Sequence, residues 1–120
     1  MISRAEIKPG DVILMPDDYI PHSFSNVGAG WIVVIYYTCE HLCSGMNVRK
    51  NGIGMDIDWG DIEHGRIINH IDEPEEDFYH WVAEGRTSSS FDSASSVAKT
   101  REYREKFFEL LEENFPEYAL

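Results

Sequence analysis

The most continuous apolar run in the chain is residues 31–37, WIVVIYY, β-branched and aromatic with almost no alternation. That pattern predicts a central strand covered on both faces. A shorter run, residues 11–15 (DVILM), follows Pro9-Gly10 and reads as a strand opened by a turn. Residues 16–30 are turn-rich, with Asp17, Asp18, Pro21, Asn26 and two glycines. MNVRK and IGMDI flank Asn51-Gly52, the dipeptide a two-residue hairpin prefers because both central residues need positive φ. Ile53, Met55, Ile57 and Trp59 alternate with Gly54, Asp56 and Asp58, giving one apolar and one acidic face. Residues 66–71 (RIINHI) and 78–84 (FYHWVAE) read as another strand pair, with the acidic segment 72–77 as its hairpin loop and His80 on a strand face.

The period then changes. Val97, Thr100, Tyr103, Phe107, Leu110 and Leu111 recur at three and four, the stripe of a core-facing helix spanning about residue 93 to 114. Asp92 or Ser93 is placed to cap it, Glu102 and Lys106 form an i,i+4 pair, and Pro116 stops it. The fold class this predicts is α+β: a small, mostly antiparallel sheet of five or six strands with one long C-terminal helix packed on it. One domain is expected over residues 1–120, with strands and loops in 1–86 and the helix within 91–115.

Charge narrows the function. Ten basic residues stand against 22 acidic ones, a formal net charge of −12. A module that grips nucleic-acid phosphates needs a basic footprint, so direct nucleic-acid binding is excluded, and anionic membrane is disfavoured for the same reason. No run approaches the twenty or so apolar residues that span a bilayer. Two cysteines, Cys39 and Cys43, are too few for a disulfide framework, and MISRAEIKPG holds no apolar signal core. A cytoplasmic protein with reduced thiols is expected. Ser88, Ser89 and Ser90 lack the glycines and lysine of a phosphate loop.

The acids are clustered. Nine fall within residues 56–77, with Arg66 the only base among them. The predicted helix carries Glu109, Glu112 and Glu113 in its last turns, where the negative end of the helix dipole makes acids mildly unfavourable. Helix stability therefore does not account for them. The leading expectation is a non-enzymatic, inhibitory or accessory binding protein that masks a basic surface on a protein partner, such as a nucleic-acid-binding enzyme. The contact residues expected are Asp56, Asp58, Asp61, Asp72, Glu73, Glu75, Glu76, Asp77, Glu109, Glu112 and Glu113. No cofactor is needed for that role.

Two other chemistries stay open. Pro9-Gly10-Asp11 leading to Pro16, with His22 and Asn26 beyond, resembles the second conserved motif of the cupin family. Residues 70–85, from His70 through Glu75, Glu76 and Glu84 to Gly85, are loosely similar to the first cupin motif, and the two stand in the reverse of the cupin order. The resemblance implies a small β-barrel and one divalent transition metal held by His22, His70 and a carboxylate, Glu76. Cys39-Glu-His41-Leu-Cys43 also has ligand-type spacing, which His64 or His70 would have to complete for zinc. Finally, Cys39 or Cys43 beside His22, His64 or His70 would give the thiol–imidazole pair of a hydrolase.

Overall fold

The computed structural model describes residues 1–23, 25–48, 54–84 and 94–118. Within them, five strands form one antiparallel sheet: β1 (Asp11–Leu14), β2 (Ile32–Thr38), β3 (Leu42–Asn47), β4 (Gly54–Asp58) and β5 (Arg66–His70), in the order β4-β3-β2-β1-β5. Helices α1 (Trp59–Ile62), α2 (Phe78–Glu84) and α3 (Ala94–Asn114) complete the α+β fold, with α3 packed on the sheet.

The unbroken apolar run of β2 is explained by its central place. Val34 and Tyr36 join a core with Phe78, Tyr79 and Val82 of α2 and Phe107 and Leu111 of α3. Val33 and Ile35 point the other way, onto Ile7, Met15, Val27 and Ile62. Both faces are therefore dry, and neither needs the alternation of a half-wet strand. The flanks of the Asn51-Gly52 turn do pair, Leu42 with Asp58 and Met46 with Gly54. The turn itself, and the Asp92 or Ser93 cap, lie outside the described residues.

Residues 78–84 are a helix, which corrects the expected strand. Phe78, Tyr79 and Val82 are its buried residues, a spacing of one, three and four. His80 faces solvent, 3.8 Å from Glu84 one turn on. The run is seven residues long, where a strand and a helix share too few periods to separate by pattern. Segment 72–77 thus links β5 to α2, with Asp77 at φ 60° just before the helix.

The sheet is open, not the barrel the cupin resemblance implies, since β4 and β5 stand at opposite edges. All five residues of β5 are exposed. Its pairing with β1 shifts register between Val12 and Ile13, opposite Asn69 and Ile67, leaving Ile68 without a partner across the ladder. Such an irregularity twists an edge strand away from flat edge-to-edge pairing. No helix among the described residues is long and apolar enough to cross a membrane.

Candidate functional site

α2 docks on α3 through rings: Phe78 lies 5.8 Å from Tyr103 and 6.4 Å from Phe107 between centroids. That docking carries the acidic segment 72–77 to the last turns of α3. Lys106 Nζ reaches Glu75 Oε1 at 3.3 Å and Glu102 Oε1 at 3.5 Å. The Tyr103 hydroxyl, followed by Lys106, holds the Glu75 carboxyl below the usual range, and Glu75 in turn raises Lys106 and Tyr103.

Beside this tie runs an open groove of about 550 Å3. Phe78 and Leu110 supply apolar lining, and Glu75, Glu109, Glu112 and Glu113 supply carboxylates. Lys106, Leu110 and Glu113 follow one another at four and three along α3, so they share a stripe beside the buried Phe107 and Leu111. Three of the helix's bases lie over aromatic rings, Lys106 within the groove and the other two outside its lining. Lys99 Nζ sits 3.9 Å from the Trp81 ring centroid, Lys106 Nζ 4.8 Å from Tyr103, and Arg104 Cζ 5.7 Å from Tyr36. Among the described residues Glu109, Glu112 and Glu113 form no ion pair.

The expected contact residues therefore divide. Glu75, Glu109, Glu112 and Glu113 line one groove, and Asp72, Glu73, Glu76 and Asp77 are exposed along the adjoining loop. Asp56 and Asp58 lie on β4, the far edge of the sheet, where Asp56 Oδ1 accepts the Ser44 hydroxyl at 2.6 Å. Asp61 is a correction: it is 3% exposed and cannot face a partner. Its Oδ1 accepts the hydroxyls of Tyr19 and, at 2.9 Å, Ser25, and lies 3.2 Å from His22 Nε2. Burial first, then Asp61, raises the Tyr19 hydroxyl. This carboxylate ties the turn-rich segment 16–30 to α1. Nothing in the sequence around Asp61 marks it for burial, because its donors come from a loop more than thirty residues away.

His22 and His70 attach to different buried aspartates. His70 Nδ1 is 2.7 Å from Asp11 Oδ1, and its Nε2 is 3.4 Å from Asp72. The second oxygen of Asp11 accepts the Lys8 N–H at 3.0 Å. Glu76 is exposed on the loop, and among the described residues no group of three or more His, Cys, Asp or Glu side chains is disposed to hold a metal ion. The proposed ligands His22, His70 and Glu76 are thus not gathered.

The Cys-x-His-x-Cys spacing does not converge either. Cys43 is fully buried against Ile57, while the His41 side chain is 84% exposed. Burial pushes the Cys43 thiol up from 9.0 to about 12, the opposite of what a nucleophile needs. A thiol reagent is expected to modify one cysteine in the folded chain, the half-buried Cys39, and both after denaturation; labelling followed by intact mass checks this. Fast modification of Cys43 in the folded protein would overturn the assignment.

No family model, curated protein or solved structure matches the chain, so its functional reading rests on geometry and charge.

Proposed function

We propose that this chain is a small acidic binding protein that covers a basic surface on a protein partner. The contact is the groove between the 72–77 loop and the last turns of α3. The observation that carries the reading is the meeting, on one surface, of Glu75 with Glu109, Glu112 and Glu113 around Phe78 and Leu110. Carboxylates around an apolar patch suit a basic surface that also offers an apolar contact. The overall charge of −12 adds long-range steering toward such a partner. A protein whose basic face ordinarily meets nucleic-acid phosphate is the partner class we favour, which makes the chain an inhibitor or accessory factor. Two cysteines, too few for a disulfide framework, fit a cytoplasmic setting.

The test neutralises the groove. A Glu109→Gln, Glu112→Gln, Glu113→Gln variant should keep the far-ultraviolet circular dichroism of the parent. It should bind a lysine- and arginine-rich peptide at least about tenfold more weakly, with a shallower dependence on salt. Asp56→Asn with Asp58→Asn, on the opposite edge, serves as the control and should bind as the parent does. Equal affinity for parent and groove variant would sink the proposal.

A further inference from the structure

Among the described residues that line the acidic groove, Lys106 is the one base. Its Nζ lies 3.3 Å from Glu75 Oε1, 3.5 Å from Glu102 Oε1 and 4.8 Å from the Tyr103 ring centroid. Carboxylates beside the face of a phenol ring are what an ammonium ion seeks. The chain therefore places its own cation where a basic partner would place one. The groove is uneven as a result. Its Glu75 end is already compensated, whereas Glu109, Glu112 and Glu113 form no ion pair among the described residues.

The tie at Glu75 is built to exchange. The Lys106 side chain is 41% exposed and that of Glu75 43%. An ion pair so exposed is weak and screened by salt, so one cation replaces another at little cost. Giving up Glu75 does not strand Lys106, because Glu102 stands one turn back on the same helix. Glu75 itself stays in place, since the Phe78 N–H donates to its carbonyl at 3.3 Å. The Tyr103 hydroxyl and then Lys106 hold its carboxyl below the usual range, so it is ionised at neutral pH.

We infer that Lys106 is an internal competitor for Glu75, which a cation of the basic partner displaces onto Glu102. This rests on the reading of the groove as the contact for a basic surface. Glu109, Glu112 and Glu113 meet the partner first, and Glu75 joins only where a second cation replaces Lys106. The groove then favours a densely basic surface over an isolated charge, and Lys106 is the residue that sets this preference.

The test removes the competitor from the full chain. Lys106→Met keeps the unbranched stem and should bind the lysine- and arginine-rich peptide about three- to fivefold more tightly at low salt. Lys106→Gln, which also lacks the charge, should show the same gain. Lys99→Met changes the net charge equally but lies outside the groove lining, and should alter affinity by less than about twofold. Glu75→Gln should cost the parent less than about twofold, yet abolish the gain when added to Lys106→Met, a coupling that a double-mutant cycle reads directly. Equal gains from the two methionine variants would reveal a general charge effect and overturn the inference. So would no gain at Lys106, or additive effects of Lys106→Met and Glu75→Gln. The two ideas fail separately. If the groove variant loses the peptide and Lys106→Met gains nothing, the proposed function stands and the competitor falls. If the groove variant keeps the peptide while Lys106 and Glu75 remain coupled, the competitor stands and the three-glutamate contact falls.

Discussion

Phe107→Ala is expected to lower stability by about 3–5 kcal/mol, read as the shift in a urea denaturation midpoint. Phe107 is fully buried, with ring centroids 5.8 Å from Tyr36, 6.4 Å from Phe78 and 6.2 Å from Tyr79. It is the point where β2, α2 and α3 meet, so the cavity left by alanine is bordered by three rings that are held by their own elements. Domains of this size have about 5–15 kcal/mol in total, so the loss removes a large share. It also loosens α3, and with it Glu109, Glu112 and Glu113, from the loop that carries Glu75. Peptide affinity should therefore fall even under conditions where the variant remains folded. Phe107→Leu, which keeps most of the volume, should cost about 1–2 kcal/mol and leave binding nearly intact. A loss below about 1 kcal/mol for the alanine variant would mean that α3 does not pack as described.

Gly10→Ala should cost about 2–4 kcal/mol by the same measurement. Gly10 has φ 98°, a conformation side-chain-bearing residues avoid. An added Cβ would press on the Ile71 carbonyl oxygen and come within 2.9 Å of His70 and 3.1 Å of Tyr79. The backbone cannot move to make room. Gly10 N–H donates to the Ile35 carbonyl at 2.7 Å, and its own carbonyl accepts the Ile71 N–H at 2.8 Å, tying the start of β1 and the end of β5 to the middle of β2. Gly60→Ala is the control: nothing lies within 4 Å of its added Cβ, and in α1 the change should be neutral or mildly stabilising. A Gly10→Ala protein as stable as the parent would show that this junction is not rigid.

Legibility from the chain follows the range of the forces involved. The helix stripe ending in Phe107, Leu110 and Leu111 could be read because residues three and four apart meet on one face regardless of what lies opposite. The seven residues of FYHWVAE could not, since their two turns satisfy either period, and only docking on Tyr103 and Phe107 selects the helix. The acids show the same division. Their number and their clustering along the chain were plain, but Asp61 looked like Asp56 and Asp58, its near neighbours. It is buried because Tyr19, Ser25 and His22 converge on one oxygen from a distant loop.

Composition and local spacing specify the central strand, the long helix, the α+β class and the strongly acidic balance. Each depends on composition or on neighbours a few residues apart. Which acids share a surface and which carboxylate is sealed depend instead on how distant segments pack. Glu75 meets Glu109, Glu112 and Glu113 because α2 packs on α3, and Tyr37 comes beside Glu73 and Glu84 because α2 lies against the end of β2. Burial and electrostatic environment are properties of the space around a side chain, and that space is filled by segments the local pattern does not specify.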